Sequence, residues 1–221
     1  MENMSDKKQL IIKAIQSMSG KYGVYQIFDD WVDIMAMAFA NQIIHSEARE
    51  KHYLETINQY NKDEQAKLCE MMAWLVEWAD EEMFDMLGYI YMHLELGNKR
   101  TGQFFTPYHI CRMMADMQEY KDEPITANEP TCGGGGNIIA LAEAMKKQGV
   151  NYQKRLTAIC QDIDVKAVNM AYVQCTLYGI PAICFQSNTL LDPNGNESVT
   201  GKMYTFEYIM RNYGLLGGAF G

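Results

Sequence analysis

The 221-residue sequence contains no long apolar run, no CxxC pair and no two adjacent prolines. No stretch of about 18 uncharged apolar residues is present to cross a membrane, and no apolar signal region follows the polar segment Met1 to Lys8. We therefore expect a cytoplasmic protein without membrane contact. The six cysteines have no metal-ligand spacing and most lie in apolar runs, so we expect buried free thiols and no metal site.

Positive charge is also scarce. Lys and Arg number 19 against 28 Asp and Glu, which gives a net charge of -9. Phosphate contacts by basic residues supply most non-specific affinity for nucleic acid, so any DNA contact is expected to be local or to come from a partner. Apolar residues make up 48% of the chain, enough for a hydrophobic core in one large domain or two small ones.

The first hundred residues show helical periodicity only, without a catalytic cluster. Apolar residues recur at spacings of three and four, and Asn61 or Asp63 is a candidate cap. The predicted helices are 7–18, Phe28–Ile44, part of His45–Tyr60, a stripe from Leu68 to Ala79, and Met83–Leu94. We predict two units, an α-helical segment at 1–100 and an α/β domain at 101–221.

Residues 97–102 resemble a linker, and the next helix is predicted over Tyr108 to Met117. Thr106 is the expected helix cap, with Pro107 in the first turn. The spacing of the apolar residues predicts an inward face made by Ile110, Met113, Met114 and Met117.

A glycine-rich turn forms the centre of the second half. The strand-like run Ile125 to Ala127 is followed by four glycines at 133–136 and by apolar residues at helical spacing from Ile138 to Met145. Glycine permits close approach of the backbone to a ligand, and the amides and dipole of a helix amino terminus favour an anionic or polar group. We therefore predict a ligand site at this strand-to-helix turn.

A second strand, Leu156 to Cys160, ends near Asp162 and Asp164. A glycine turn after one strand and an acid after the next is the layout of a nucleoside-binding βαβ unit. No Lys-Ser or Lys-Thr follows the glycines, which excludes a P-loop, and the dinucleotide fingerprint fits only in part because Ile138 stands at its third glycine. S-adenosylmethionine is the candidate that remains. We expect Asp164 to cap the following helix and not to bind ligand.

The rest of the chain predicts a helix over Val165 to Leu177 and a third strand over Ala182 to Gln186. A turn follows at residues 192–196. Met203 to Met210 forms a short helix or strand.

Four segments in this order resemble the N-6 adenine DNA methylases, in particular methylase subunits of type I restriction-modification systems. They are Gln103-Phe104-Phe105-Thr106-Pro107, Glu129-Pro130-Thr131-Cys132 with the glycines at 133–136, Asp162, and Ser187-Asn188-Thr189-Leu190. The resemblance covers roughly residues 82–191.

The resemblance implies a cofactor site for S-adenosylmethionine. It places Phe105, Thr106 and Pro107 against the methionine end and the loop from Glu129 to Gly136 around methionine and ribose. It assigns Asp162 to hydrogen bonding with the ribose hydroxyls. The implied set is Phe105, Thr106, Pro107, Glu129, Pro130, Cys132, Gly133, Gly135, Asp162, Ile163, Asn188 and Thr189.

Asn188 occupies the position where the family usually has an Asp that contacts the amine of the cofactor's adenine. Its amide oxygen can accept from N6 and its NH₂ can donate to N1. The alternative is a local Asx-type cap after the strand.

The family's base-holding motif, (N/D)PP(Y/F), has no counterpart here. The five prolines are never adjacent, and neither Asp192-Pro193-Asn194 nor Asn212-Tyr213-Gly214 replaces the motif. We therefore assign no catalytic residue. About 30 residues follow Asn188, so we expect only a partial Rossmann-like methyltransferase sheet with strand order 3-2-1.

Strand 1 of this sheet is expected to have an open edge, which invites a second copy or a partner chain. The leading expectation for function is an S-adenosylmethionine-binding protein of the adenine-N6 DNA methyltransferase family that acts on DNA with a partner subunit or second copy. The alternatives are a non-catalytic accessory or regulatory module of a restriction-modification or mobile-element system, and a small-molecule methyltransferase.

Overall fold

A computed structural model of the chain describes residues 5–96, 105–198 and 201–214. The architecture is mixed α/β, with a helical first half and a small sheet in the second half. The elements in chain order are α1 Ser5–Met18, α2 Val24–Ile43, α3 Glu47–Ile57, α4 Lys62–Glu81, α5 Met86–His93, α6 Tyr108–Asp116, β1 Ile125–Glu129, α7 Gly136–Lys147, α8 Tyr152–Arg155, β2 Leu156–Asp162, α9 Val165–Leu177, β3 Ala182–Gln186, β4 Met203–Tyr204 and α10 Phe206–Tyr213.

The five front helices match the predicted ones to within a few residues. Asn61 caps α4 in a reciprocal capping box, because its side chain accepts from the Glu64 amide while Glu64 accepts from the Asn61 amide. The Trp31 indole N–H donates to the Leu68 carbonyl at 3.2 Å, which joins α2 to α4. None of the helices in the described ranges is both long and apolar enough to cross a membrane.

The sheet has the spatial order β1-β2-β3-β4. The first three strands are parallel, with Ile125 opposite Leu156 and Cys160 opposite Cys184. The two-residue β4 pairs antiparallel with β3 and is followed at once by α10, so the segment from Met203 to Met210 contains both a strand and a helix. The carboxyl ends of the parallel strands meet at one edge, where α/β sheets commonly bind ligands.

Helix α9 connects the sheet to the helical half. Val168 and Tyr172 of α9 are fully buried, and α2 packs along this helix. One continuous hydrophobic core therefore runs from α1 to β4. The predicted boundary between residues 100 and 101, the linker at 97–102, and Gln103 and Phe104 lie outside the described residues, so the division into two units stays a prediction.

Two predictions about α6 were wrong. Pro107, not Thr106, is the N-cap residue, and it makes no side-chain cap bond. Three of the four residues predicted to face inward are exposed, Met113, Met114 and Met117 at 54%, 41% and 79%, while Ile110 is half-buried. The reason is that α6 carries a second stripe at the same spacing, and this stripe is the one that packs on α7. Its members are Tyr108, Cys111 and Ala115.

Strand β1 has a hydrogen-bonded neighbour on one side only among the described strands. Its open edge borders a groove of about 620 Å³ that also contacts α6 and α7. Met114 lines it, together with three acidic residues and one basic residue, which are Glu119, Glu123, Glu129 and Lys121.

The expectation of buried free thiols is confirmed for five of the six cysteines. It is wrong for Cys69, which is exposed on the solvent side of α4.

Candidate functional site

The glycine-rich turn between β1 and α7 adopts backbone conformations that side chains disfavour. Gly133 has φ +52°, and a side-chain carbon there would lie 2.9 Å from the Phe105 ring. Gly135 has φ +91° and packs against α9, where an added carbon would lie 3.2 Å from Ala171. Glycine is therefore required at Gly133 because of the nearby Phe105 ring, and at Gly135 because of the nearby helix α9.

Asp162 lies beside this turn at the carboxyl end of β2. Its Oδ2 accepts from the Gly133 amide at 2.9 Å, and its Oδ1 accepts from the Asp164 amide at 3.0 Å. The residue is 8% exposed. Because each carboxylate oxygen can accept more than one hydrogen bond, the group can still receive two ligand hydroxyls.

A pocket of about 690 Å³ opens at the turn, a size typical of small-molecule sites. Half of the predicted site residues line it. They are Phe105, Thr106, Cys132, Gly133, Asp162 and Ile163.

The other six predicted residues lie outside that lining. Pro107 borders a neighbouring cavity, and Glu129 faces the β1 groove, where it accepts from Asn137 Nδ2 at 2.9 Å. The Pro130 carbonyl accepts from the Thr189 hydroxyl at 2.8 Å, which joins the loops after β1 and β3. Gly135 is the N-cap residue of α7. These residues shape the loops that form the pocket.

Asn188 forms the local turn that was the alternative interpretation. Its Oδ1 accepts from the Leu190 amide at 3.0 Å, and its carbonyl accepts from the amides of Leu191 and Asp192. This Asx-type turn occupies one of the two lone pairs of the oxygen that would accept from the amine of the cofactor's adenine. Asp164 likewise caps α9 through the Lys166 amide, as expected, and it also lines the pocket.

The sequence interpretation missed the wall contributed by the front helices. Tyr25, Asp85 and Tyr91 of the front half of the chain also line the pocket. Nothing in their local sequence pattern distinguishes them from other helical residues. The sequence pattern predicts Asp85 inside a helix from Met83 to Leu94, whereas it is the N-cap residue of α5.

Asp85 is 5% exposed and accepts hydrogen bonds from its own helix, α5, and from α9. Its Oδ1 accepts from the Gly88 amide at 3.0 Å and from Gln174 Nε2 at 2.8 Å. Gln174 Nε2 also donates to the Gly134 carbonyl at 2.7 Å. Burial raises the pKa of Asp85, while the two hydrogen bonds act in the opposite direction.

Lys166 is a further missed residue, buried in the first turn of α9. Its ammonium donates to the Tyr25 hydroxyl and lies 3.9 Å from the centre of the Tyr25 ring and 5.1 Å from that of Tyr91. Burial opposes its charge, but the bond to Tyr25 and the neighbouring Tyr91 and Asp164 hold its pKa above the ordinary value. The pocket thus contains a cation at its α9 wall.

Cys132 packs against Cys160 beneath the turn. This thiol contact, together with burial, raises the pKa of Cys132 well above its usual value. A nucleophilic cysteine requires the thiolate, so the geometry favours a structural role for this residue.

The segment Asn212-Tyr213-Gly214 lies at the opposite end of the sheet. Arg211 Nη1 donates to the carbonyl of Leu156, the first residue of β2, at 2.7 Å, whereas Asp162 is the last residue of that strand. Six residues at about 3.3 Å each separate the two ends by roughly 20 Å. In this structure the segment does not reach the pocket.

These features define an α/β protein with a small-molecule pocket at the carboxyl ends of parallel strands. The chain belongs to the N-6 DNA methylase family, because the family model "N-6 DNA Methylase" matches residues 81–214, more than half of the sequence. No curated protein matches the chain.

A similar solved structure is a methyltransferase subunit of the type I restriction-modification system from Streptococcus thermophilus. The identity is 14% and the TM-score is 0.40. The alignment covers 81% of this chain and 57% of that one, so the chain spans little more than half the length of that subunit.

Proposed function

We propose that the chain binds S-adenosylmethionine in the pocket at the glycine turn and acts in methylation of the adenine N6 amine in DNA. The observation that carries the proposal is the Asp162 carboxylate, which lines the pocket 2.9 Å from the Gly133 amide. Ribose hydroxyls require an acceptor at this position, and hydrogen bonds to a charged acceptor contribute about 1.5 to 3 kcal/mol each. The family match supports this assignment.

The pocket also fits the rest of the ligand chemically. Phe105 and the exposed Ile163 offer apolar surface at its mouth, with Ile163 66% exposed. Asn137, in the first turn of α7, lines the pocket, and its buried Oδ1 has no partner in the described part of the chain. A ligand ammonium group would satisfy that oxygen.

Methyl transfer needs a group that holds the flipped adenine, and we propose that a second chain supplies it. Asn212 has a side chain of the kind that holds an adenine amine, but it follows Arg211 at the far end of β2 from the pocket. Its distance from the pocket supports a group supplied by another chain. The open edge of β1, at the border of an exposed groove, is our proposed contact surface for a second copy or a partner subunit. The sheet would then be a partial Rossmann-like methyltransferase sheet that the contact completes.

The position of Asn212 also favours a second candidate, a cofactor-binding accessory module without catalysis of its own. Both candidates predict binding of S-adenosylmethionine, so binding is the first test. Transfer of a labelled methyl group to DNA separates them.

Isothermal titration of the wild-type chain and of Asp162→Ala with S-adenosylmethionine tests the site. We expect affinity to fall at least tenfold, about 1.4 kcal/mol. Asp192→Ala is the matched control, since its carboxylate also holds two backbone amides, those of Asn196 and Glu197, at 3.0 and 2.9 Å, but outside the pocket. Absence of binding by the wild-type chain, or equal losses in the two variants, would refute the proposed site.

Sedimentation velocity at high micromolar concentration tests the contact surface. Self-association that Thr126→Pro removes would support a contact at the β1 edge, because Thr126 is exposed on β1 and proline cannot donate a ladder hydrogen bond. A monomer at all concentrations would exclude self-association at this edge and leave contact with a partner subunit as the remaining proposal.

A further inference from the structure

A buried carboxylate lies at the pocket, and none of the described residues pairs a cation with it. Asp85 comes from the turn before α5, more than forty residues ahead of the glycine turn, yet it packs directly against it. A side-chain carbon added at Gly136 would lie 3.2 Å from Asp85 Oδ2, and one added at Gly134 would lie 3.4 Å from Oδ1. The carboxylate is therefore in contact with the backbone that forms the site.

The two oxygens of Asp85 have different surroundings. The hydrogen bonds that described residues donate to this side chain, from Gly88 and Gln174, both end at Oδ1. In residues 5–96, 105–198 and 201–214, no Lys, Arg or His forms an ion pair with it. Oδ2 lies close to Gly88 of α5 and to the amino end of α7, where the helix dipole offers partial compensation.

Helix capping alone does not explain this arrangement. The cap of α5 uses one oxygen, and serine or asparagine would serve equally well. Burying a full charge without a partner costs several kcal/mol, so buried carboxylates are normally paired with a cation. A cation that arrives with the ligand would provide the missing partner.

Asp85 and Asp162 approach different glycines of the turn. Asp162 bonds Gly133 at its beginning, whereas Asp85 lies against Gly134 and Gly136 at its end. If the ribose hydroxyls of a ligand meet Asp162, a 5′ substituent that follows the turn comes to Asp85. In S-adenosylmethionine that substituent carries two positive charges, the sulfonium and the ammonium.

We propose that Asp85 is a cofactor-binding residue whose carboxylate pairs with the positively charged methionine part of S-adenosylmethionine. The inference rests on the proposed function and adds a residue that the motif resemblance does not include. It also gives the helical front segment a direct part in ligand specificity. The ligand class favoured by the site is an adenosine with a cationic 5′ chain.

The test compares two ligands on one variant. Asp85→Asn keeps the shape and the acceptor for Gly88 and Gln174 but removes the charge. We expect S-adenosylmethionine to bind this variant about tenfold more weakly than the wild type, and 5′-methylthioadenosine, which lacks the charged chain, to change by less than about twofold. Asp192→Asn, outside the pocket, is the matched control and leaves both affinities unchanged.

Equal losses for both ligands would assign Asp85 a purely structural role and overturn the proposal, as would no loss at all. If Asp85→Asn does not fold, the test uses Asp85→Ser, which keeps the helix cap. The wild-type protein gives an independent readout, since equal affinity for the two ligands would also overturn the charge pairing. Binding of neither ligand by the wild type would instead refute the proposed function.

Discussion

Gln174 is the side chain whose removal best tests how the pocket is held together. It is fully buried in α9 and makes three hydrogen bonds. Nε2 donates to Asp85 Oδ1 at 2.8 Å and to the Gly134 carbonyl at 2.7 Å, while Oε1 accepts from the Leu87 amide at 3.1 Å. One amide thus joins α9, the start of α5 and the glycine turn.

Gln174→Leu keeps the approximate volume and removes all three bonds. The bond to the Asp85 carboxylate contributes about 1.5 to 3 kcal/mol, and each of the two neutral bonds about 1 kcal/mol. The expected loss in the free energy of unfolding is therefore about 4 kcal/mol. The loss is large because the Leu87 amide and the Gly134 carbonyl lose their partner in a buried position, and the Asp85 carboxylate keeps only the bond from the Gly88 amide.

Urea denaturation followed by circular dichroism measures this loss. Gln148→Leu is the matched control, because Gln148 also accepts from an amide, that of Tyr120, and donates to a carbonyl, that of Gln118, but is exposed. Water replaces its bonds, so a loss below about 1 kcal/mol is expected. If the loss in the free energy of unfolding for Gln174→Leu were within about 1 kcal/mol of the loss for the control, the proposed contribution of this buried link to stability would be refuted.

Three further predictions concern the turn, the α6 to α7 contact and the thiols. Gly135→Ala should cost about 1 to 3 kcal/mol more in urea unfolding than Gly149→Ala, because both have positive φ but only Gly135 packs against a neighbour; equal costs would contradict the packing. Burial opposes the charge of Glu143, but Arg112, Tyr108 and Lys147 hold its pKa below the ordinary value of 4.5, so the stability it provides is complete above that value and declines as the pH falls below it. A urea midpoint as acid-sensitive in Glu143→Gln as in the wild type would refute that contribution. Ellman's reagent should find one fast-reacting thiol in the folded protein, and Cys69→Ser should remove it; a fast phase that remains would mean that a buried thiol is accessible.

Element positions followed from the sequence wherever one apolar pattern was dominant. Strand β2 and helix α9 are bounded by an acid, a cap and a glycine, and the structure places them at 156–162 and 165–177. In α6, the stripe through Met113 and Met117 and the stripe through Cys111 and Ala115 have the same helical spacing. Periodicity finds such a helix but does not select its buried face, because that choice depends on the shape of α7.

The glycine turn and Asp162 were predictable because they follow two consecutive strands and form a local pattern. Tyr25 and Lys166 were not, since they meet across 141 sequence positions. A buried lysine in the first turn of a helix looks, in sequence, like a solvent-exposed residue. Only the packing of α2 along α9 brings Tyr25 to it.

The polar residues of α9 show why the front helices belong to the site. Lys166, Asn169 and Gln174 are each buried, and each bonds a different partner from the first half of the chain. The bonds are Lys166 to Tyr25, Asn169 to Asp33 at 3.0 Å and Gln174 to Asp85 at 2.8 Å. Removal of the front helices would expose these groups and take away the wall that carries Asp85. If the cofactor binds as proposed, its methionine end depends on residues that precede the matched motifs, so affinity and the packing of the helical half must change together.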